Sequence, residues 1–471
     1  MPAITITGGG VAGLTAAMVL AEAGHQVTLV ERDGADVPSP EQAWERWERR
    51  GVNQFRLLHF FQPRFRVELE RELPGVVEAL AAAGLQRLHP LALAPDSLTG
   101  GRRPDDDRHE ALTGRRPVVE AVLAASAQAT PGVTVRRGAA VQGLLTGSAS
   151  RPGVPHVTGV RLESGEEVPA DLVVDATGRR SPLPAWLEAA GARPPVEEAE
   201  DMGFVYYGRH FASPDGTTPP IMGPLLQSYG SLSVLTLPAD NGTWGVGLVA
   251  SAGDSALRAL KNVDTWSTVV KSLPLAAHWL DGEPLGDRVD VMAKIEDRHR
   301  SFSVDGTPVA TGVVAVADAW ACTNPSVGRG ATLGLLHVLA LRDVLGEVGL
   351  GDPGSFHAAW EDVTATELEP WYRDTLTGDR HRLAEVDGEI RGEPYRPDDA
   401  GWDAMQSLGA AAGQDGDCLR ALLDIASVTR TADEVLADPG LMEKVTALGS
   451  GWRDAPRLGP DRAELLSIVS S

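Results

Sequence analysis

Cysteine is nearly absent from this 471-residue chain, which has only Cys322 and Cys418. No CxxC pair and no Cys/His cluster supplies a zinc or iron–sulfur ligand set, so no metal site is expected. One disulfide is the most the two could form, and a reduced compartment is the simpler reading. Lysine is also scarce, at positions 261, 271, 294 and 444 alone. No basic run offsets the 65 acidic residues, and a formal charge of −23 argues against nucleic acid or an anionic membrane surface as a partner. No apolar run reaches the roughly 20 residues of a membrane span. The first apolar stretch contains a glycine turn and has no basic lead, so it does not read as a signal peptide. The expectation is a soluble, cytoplasmic protein. A hydrophobic content of 43% is ordinary for a globular chain, and the length permits two to three domains with a sizeable core.

What is present begins at once. Ile4-Thr5-Ile6-Thr7 runs into Gly8-Gly9-Gly10-Val11-Ala12-Gly13, followed by an apolar helical stretch, the strand Val27-Thr28-Leu29-Val30, and then Glu31-Arg32. Each part has a physical task at a dinucleotide. Gly8 permits a tight turn, Gly10 lets backbone approach a pyrophosphate, and Gly13 lets helix pack close to strand. The helix N-terminus, with Val11 and Ala12, faces the phosphate charge. Glu31 lies near the spacing at which an acid hydrogen-bonds a ribose hydroxyl. The alternative is a glycine turn in another parallel α/β protein.

Further along, residues 38–50 read as a charged surface helix. Residues 55–73 read as a longer helix interrupted at Pro63, and residues 90–108 as a loop rich in Pro, Gly and Asp. A helix begins near Arg116-Pro117. Leu172-Val173-Val174-Asp175 is a buried strand entering a turn. From about Gly203 to Ile295 short alternating segments such as Phe204-Val205-Tyr206-Tyr207 predict an inserted antiparallel sheet. The buried strand Val313-Val314-Ala315-Val316 then leads to Asp318, the glycine turn Asn324–Gly330 and an apolar helix. Beyond Ser355 the chain reads as helical, with a Pro/Asp/Gly linker near 392–400. The predicted class is α/β: a Rossmann-type nucleotide domain, an inserted, mainly antiparallel sheet and a helical C-terminal region. The expected boundaries are 1–85, 111–200 and 299–350 for the nucleotide domain, 86–110 for a loop or insert, 201–298 for the β-rich domain and 351–471 for the tail.

Three separated motifs carry a resemblance. GGGVAG with Glu31, Asp175-Ala176-Thr177-Gly178-Arg179-Arg180-Ser181, and Asp318 followed by Asn324-Pro325-Ser326-Val327-Gly328-Arg329-Gly330-Ala331-Thr332 stand in the order found in FAD-dependent monooxygenases of the para-hydroxybenzoate hydroxylase fold. The natural-product branch that includes epoxidases and hydroxylases is the most similar. The resemblance implies FAD held by Gly8, Gly10, Val11, Ala12, Gly13, Glu31 and Arg32 at its ADP end. It implies Arg116 toward the phosphate–ribityl region, Asp175 and Gly178 at the middle motif, and Asp318 on the ribityl chain. Pro325, Gly328, Gly330, Ala331 and Thr332 would lie at the ring, where a helix N-terminus favours negative charge on reduced flavin. The plainer alternatives are a helix cap for Asp318, a solvated charge for Arg116, and a buried acid holding its turn for Asp175. Two departures stand out. The usual glycine before the second acid is Ala317, and the loop's common glutamine is Arg329, which either supports an anionic flavin or faces solvent.

The implied reaction transfers one oxygen from a flavin C4a-(hydro)peroxide to a hydrophobic organic substrate, with O2 and with NAD(P)H or a partner flavin reductase as electron source. No acid–base dyad is needed for it. The pocket-lining candidates are His59, Tyr207, Trp320 and Pro325; the plainer reading of the first three is packing. Tyr206 and Tyr207 fall on opposite faces of one strand, so one should face the cleft. The helical tail either covers the cleft or forms a dimer surface. The first rival is a flavin-dependent alkene reductase of the geranylgeranyl reductase type. Another is a halogenase, a group with a Trp-x-Trp-x-Ile-Pro motif and an N-terminal lysine; this chain has neither. A flavin-binding protein without catalysis is the non-enzyme reading.

Overall fold

A computed structural model describes residues 1–149, 151–454 and 458–470. Its centre is a five-stranded parallel sheet in the spatial order Val313–Ala315, Leu172–Asp175, Ala3–Thr7, Gln26–Glu31, Val133–Arg137. The central strands are apolar runs because both faces are covered: Ile4, Ile6, Leu29, Val173 and Val174 are all buried. The helix Val11–Glu22 is apolar nearly all round, as a helix must be when it lies between a sheet and a second helix, here Gly330–Glu347.

A six-stranded antiparallel sheet is inserted after this sheet's fourth strand in sequence. Phe204–Ala212, Leu226–Tyr229, Leu232–Pro238 and Thr243–Ser251 form its body. Alternation divides Phe204–Ala212 between two apolar clusters. Val205, Tyr207 and Phe211 pack with Trp266 of the helix Val263–Lys271. Phe204 and Tyr206 pack on the other face with Leu57, Met292 and Ile295. A small sheet, Val196–Asp201 with Glu296–Ser301 and Ala321–Cys322, lies at the junction of the two halves. The chain ends in helices. Pro353–Val363 and Glu369–Arg391 come first. Ala400–Ala412, Gly416–Ala426 and Pro439–Gly449 follow, gathered around Leu408, Cys418, Ile425 and Val445.

Three local expectations change. Pro63 starts a helix, Pro63–Glu72, and does not interrupt one; its fixed φ and missing N–H suit the first helical position. The preceding stretch is turns and the short strand Phe60–Phe61. The surface helix is shorter than predicted, Pro40–Arg46, and Trp47 just beyond it is buried against Phe55. Finally, the predicted loop 90–108 holds short helical turns at Pro90–Leu93, Asp96–Thr99 and Pro104–His109.

Candidate functional site

One long cleft of about 1620 Å³ runs from the glycine turn, past the ends of the parallel strands, to the inserted sheet. At its first end the backbone is shaped by space. Gly8 has φ +99°, and a Cβ there would lie 2.6 Å from the Ala176 carbonyl oxygen. A Cβ on Gly13 would lie 1.8 Å from the Gly8 oxygen, so only glycine lets this helix meet its strand. Around Gly10 the space is open. The helix starting at Val11 has no side-chain cap and no acid in its first turn, which leaves its N–H groups free for an anion.

Glu31 sits beside this turn. Its Oε2 accepts from the Gly9 N–H at 2.8 Å and from Arg49 at 2.5 Å; its Oε1 accepts from the Asp33 N–H at 2.8 Å. Arg49 is the middle of a buried chain of charge. It also donates to the Gly9 carbonyl at 2.9 Å and to Glu120 at 2.5 Å, and Arg116 holds the other Glu120 oxygen at 2.5 Å. Burial alone would push the Glu120 carboxyl up, but Arg116 and Arg49 outweigh it and hold it below its ordinary range. Arg116 continues to His59, where its Nη1 meets Nε2 at 3.2 Å while Nδ1 lies 2.9 Å from the Leu57 carbonyl. A guanidinium only donates, so Nε2 accepts and Nδ1 carries the proton. Burial and the neighbouring Arg116 push His59 down to about 3, so it is neutral. Arg32 lies over Gly51 at the cleft wall.

Asp318 stands at the middle of the cleft. It is half-buried, and no hydrogen bond to its carboxylate is found among the described residues. Enclosure by protein pushes it up, while Arg116 and Arg179 pull it back. It is presented by a turn in which Ala317 has φ +53°, a conformation costly for any side chain. The His337 ring helps hold it, accepting from the Ala317 N–H at 3.2 Å. The loop after it continues along the cleft. Pro325 is exposed on its wall, Gly328 has φ +66°, and Gly330 opens an uncapped helix that includes Ala331. Gln62 fastens the loop by donating to the Val327 carbonyl at 2.7 Å.

Five sequence assignments change in detail. Asp175 is fully buried and faces its own turn: Thr7 Oγ1 at 3.3 Å, Thr177 N at 3.0 Å, Thr177 Oγ1 at 2.6 Å and the Ser181 hydroxyl all donate to it. It positions Thr177 and Gly178, which do line the cleft. The Thr332 side chain is fully buried beneath the loop with no partner for its hydroxyl among the described residues, so it offers the cleft nothing. Trp320 is packed in the nucleotide-domain core, edge-on to His299 and His337. Tyr207 lines the cleft wall while also joining the apolar cluster of the sheet with Trp266; Tyr206 lines the cleft too and reaches the loop, its hydroxyl donating to Asn324 Oδ1. Arg329 lines the cleft with the rest of its loop and does not face solvent. It is buried, paired to Asp374 at 2.5 Å and bonded to Thr375 at 3.0 Å.

Several cleft residues were not foreseen. Arg49 carries no local motif, nor does Glu120, which is buried behind it; a buried charge pair is visible only once strand and helix are adjacent. Leu57 and Leu58 reach the sheet where Gly208, Gly245 and Gly247 leave room for them. Met405, Leu422 and Ile425 of the terminal helices close the apolar end. Cys322 lines the wall as well; burial pushes its thiol up to about 12, which makes it inert. No group of metal-binding side chains occurs among the described residues, and no helix among them is long and apolar enough to cross a membrane.

Comparison with known proteins agrees with this architecture. Residues 1–54 match the FAD binding domain family, and residues 111–190 match the tryptophan halogenase family. Protein Rv3254 of Mycobacterium tuberculosis is 28% identical over 401 residues, covering 81% of each chain. PqsL of Pseudomonas aeruginosa, a probable FAD-dependent monooxygenase, superposes with a TM-score of 0.58 at 14% identity, over 82% of this chain and 96% of that one. The anhydrotetracycline hydroxylase OxyS of Streptomyces rimosus gives 0.56 at 18% identity, over 90% and 76%. Parallel sheet, inserted antiparallel sheet and glycine-turn cleft thus make up a fold that this chain shares with PqsL and OxyS.

Proposed function

We propose that this protein is an FAD-dependent monooxygenase that hydroxylates or epoxidises a hydrophobic organic molecule, in secondary metabolism. The observation that carries the reading is the form of the cleft: polar and charged along the nucleotide domain, then apolar between Leu57, Leu235, Val249 and Ile295 of the sheet side and Met405 and Ile425 of the terminal helices. Its roughly 1620 Å³ exceeds the roughly 300–1,000 Å³ of a pocket for one small ligand, as a cofactor plus a substrate requires.

The residues fit FAD. The two uncapped helix ends at Val11 and Gly330 suit a pyrophosphate and an electron-rich ring system. Glu31 suits a ribose, and the unpartnered Asp318 carboxylate suits ribityl hydroxyls. Bound FAD supplies the electron and oxygen chemistry. The chain's own part is to orient the substrate, keep water out and keep charge balanced. The apolar wall does the second, and the Arg49–Glu120–Arg116 chain the third. On this reading residues 1–85, 111–200 and 299–350 hold the cofactor, 201–298 roof the substrate, and 351–471 cover it. Electrons come from NADPH or NADH directly, or from a partner flavin reductase.

The purified protein should carry yellow, non-covalent FAD and oxidise NAD(P)H in an O2- and substrate-dependent way. Absence of FAD binding would sink the reading. The tryptophan halogenase match favours a second reading, but the matched segment 111–190 has no lysine, and the first lysine of the chain is Lys261. That segment contributes Arg116 and Gly178 to the cleft, with Glu120 buried behind Arg116, which accounts for the match by cofactor holding alone. Substrate reduction under strict anaerobiosis would support the alkene reductase.

A further inference from the structure

Beneath the loop 324–330 two acids meet in the interior. Asp297, on the strand Glu296–Ser301, is fully buried, and Asp379, on the helix Glu369–Arg391, is nearly so. They lie within hydrogen-bonding reach of each other. Asn324 bridges them. Its backbone N–H donates to Asp297 Oδ1 at 2.5 Å and its Nδ2 to Asp379 Oδ1 at 2.8 Å, while its Oδ1 accepts from Tyr206. The remaining oxygens, Oδ2 of each acid, are buried with no donor from any described residue.

The surrounding charges do not relieve them. Arg380, one residue along the helix, is committed to Glu200 at 2.5 Å, and Arg329 from the loop to Asp374 at 2.5 Å. Glu200, from the strand Val196–Asp201, adds negative charge. Tyr206, Tyr372 and Cys322 are held neutral by burial, and His299 on the same strand is pushed down, also by burial. Two carboxylates facing each other in such a place repel, and two orphaned acceptors cannot satisfy each other. A single proton between the Oδ2 atoms resolves both problems.

We propose that Asp297 and Asp379 are positioning residues, a carboxyl pair joined by one shared proton that clamps Asn324 and thereby seats the loop 324–330 and Tyr206 at the cleft. That this loop contacts FAD rests on the function proposed above; the clamp itself does not. Burial pushes both carboxyls up, and the pair titrates as a unit. Loss of the last proton leaves two buried charges under the loop, so the clamp opens as pH rises.

Asp379→Asn tests this, because an amide can accept from Asn324 and donate to Asp297 Oδ2 at every pH, as can Asp297→Asn in the reverse sense. The readout is hydrogen-exchange protection of amides 324–330 in the full chain, corrected for intrinsic rates, from about pH 6 to about pH 9, where a one-proton linkage changes an equilibrium up to ~10-fold per pH unit. The wild type should lose protection with rising pH while each variant holds it within about 2-fold. Added FAD should follow the same pattern, its dissociation constant rising in the wild type only. Identical profiles in wild type and variants overturn the clamp. Because a variant can misfold, the wild type provides an independent check: a carboxylic-acid C=O infrared band at neutral pH, in protein labelled with 13C-aspartate, that disappears on alkalinisation. Its absence also overturns the proposal. If FAD binds to none of the proteins while band and exchange behave as stated, the functional reading fails and the clamp stands.

Discussion

At the scale of single residues, the cleft concentrates backbone and charge in unfavourable states. Ala317 has φ +53°, where a side chain costs about 1–2 kcal/mol. Ala317→Gly should therefore raise stability by about 0.5–1 kcal/mol, seen as a higher midpoint in chemical denaturation. Asp318 would remain presented because His337 still receives the N–H of position 317. His59 is a second case. Held down to about 3 in the fold against an ordinary value of about 6.5, it binds its proton far more readily in the unfolded chain. Its contribution is complete above the unfolded value and is lost as pH falls toward the folded one. His59→Gln should therefore lose less stability than the wild type on acidification from about pH 7 to about pH 4, by at most about 1.4 kcal/mol per pH unit. A neutral His59 is no proton donor near neutrality. The acid limb of a pH–rate profile should stay in place in the variant.

At the scale of elements, the nucleotide end depends on a strand and a helix brought together by charge. Arg49 sits between Glu31 of the strand Gln26–Glu31 and Glu120 of the helix Arg116–Ala129, with Glu120 fully buried. Removing one partner of a buried pair strands the other, at a cost of about 3–5 kcal/mol. Arg49→Met should lower stability by that order and abolish retention of FAD through gel filtration. Arg49→Lys should fall between, since one ammonium cannot span two carboxylates and the Gly9 carbonyl in the fixed fork of a guanidinium. Equal FAD retention in wild type and Arg49→Met would show that the chain of charge has no part in shaping the site.

At the scale of the molecule, the terminal helices are joined to the segment 86–110 by charged contacts, most of them buried. Arg420 pairs with Asp106 at 2.7 Å, and Asp424 accepts from His109 at 2.8 Å and Arg108 at 2.9 Å. These contacts hold Leu422 and Ile425 over the apolar end of the cleft. Arg420→Met should cost about 3 kcal/mol or more and loosen the cover. Faster limited proteolysis within 392–399, with FAD affinity changed less than about 2-fold, is the expected signature. A large parallel loss of FAD affinity would mean that the cover and the cofactor end are one cooperative unit.

The nucleotide half was legible because its instructions are local. A glycine that must clear a carbonyl, an apolar strand and an acid at the strand end are all readable within about 30 residues. So were the antiparallel insert and the helical tail, whose periodicities differ. What the sequence could not show was partnership at long range. Alternation placed Tyr206 and Tyr207 on opposite faces, but that Tyr206 is the one to meet Asn324 of the loop depended on where Leu57 and Ile295 arrived. Asp175 stood in a motif, yet its oxygens were taken by Thr7, Thr177 and Ser181. The tetrapeptide Asp-Arg-His-Arg occurs twice, at 297–300 and 379–382, once on a strand and once on a helix. Nothing along the chain relates the copies. By itself the sequence determined a strand, glycine turn and helix end of the form that suits a dinucleotide. Tertiary structure alone decided which charges are buried together, because the interaction of two ionised groups is set by their distance in space and the water excluded between them, and neither is written in sequence separation.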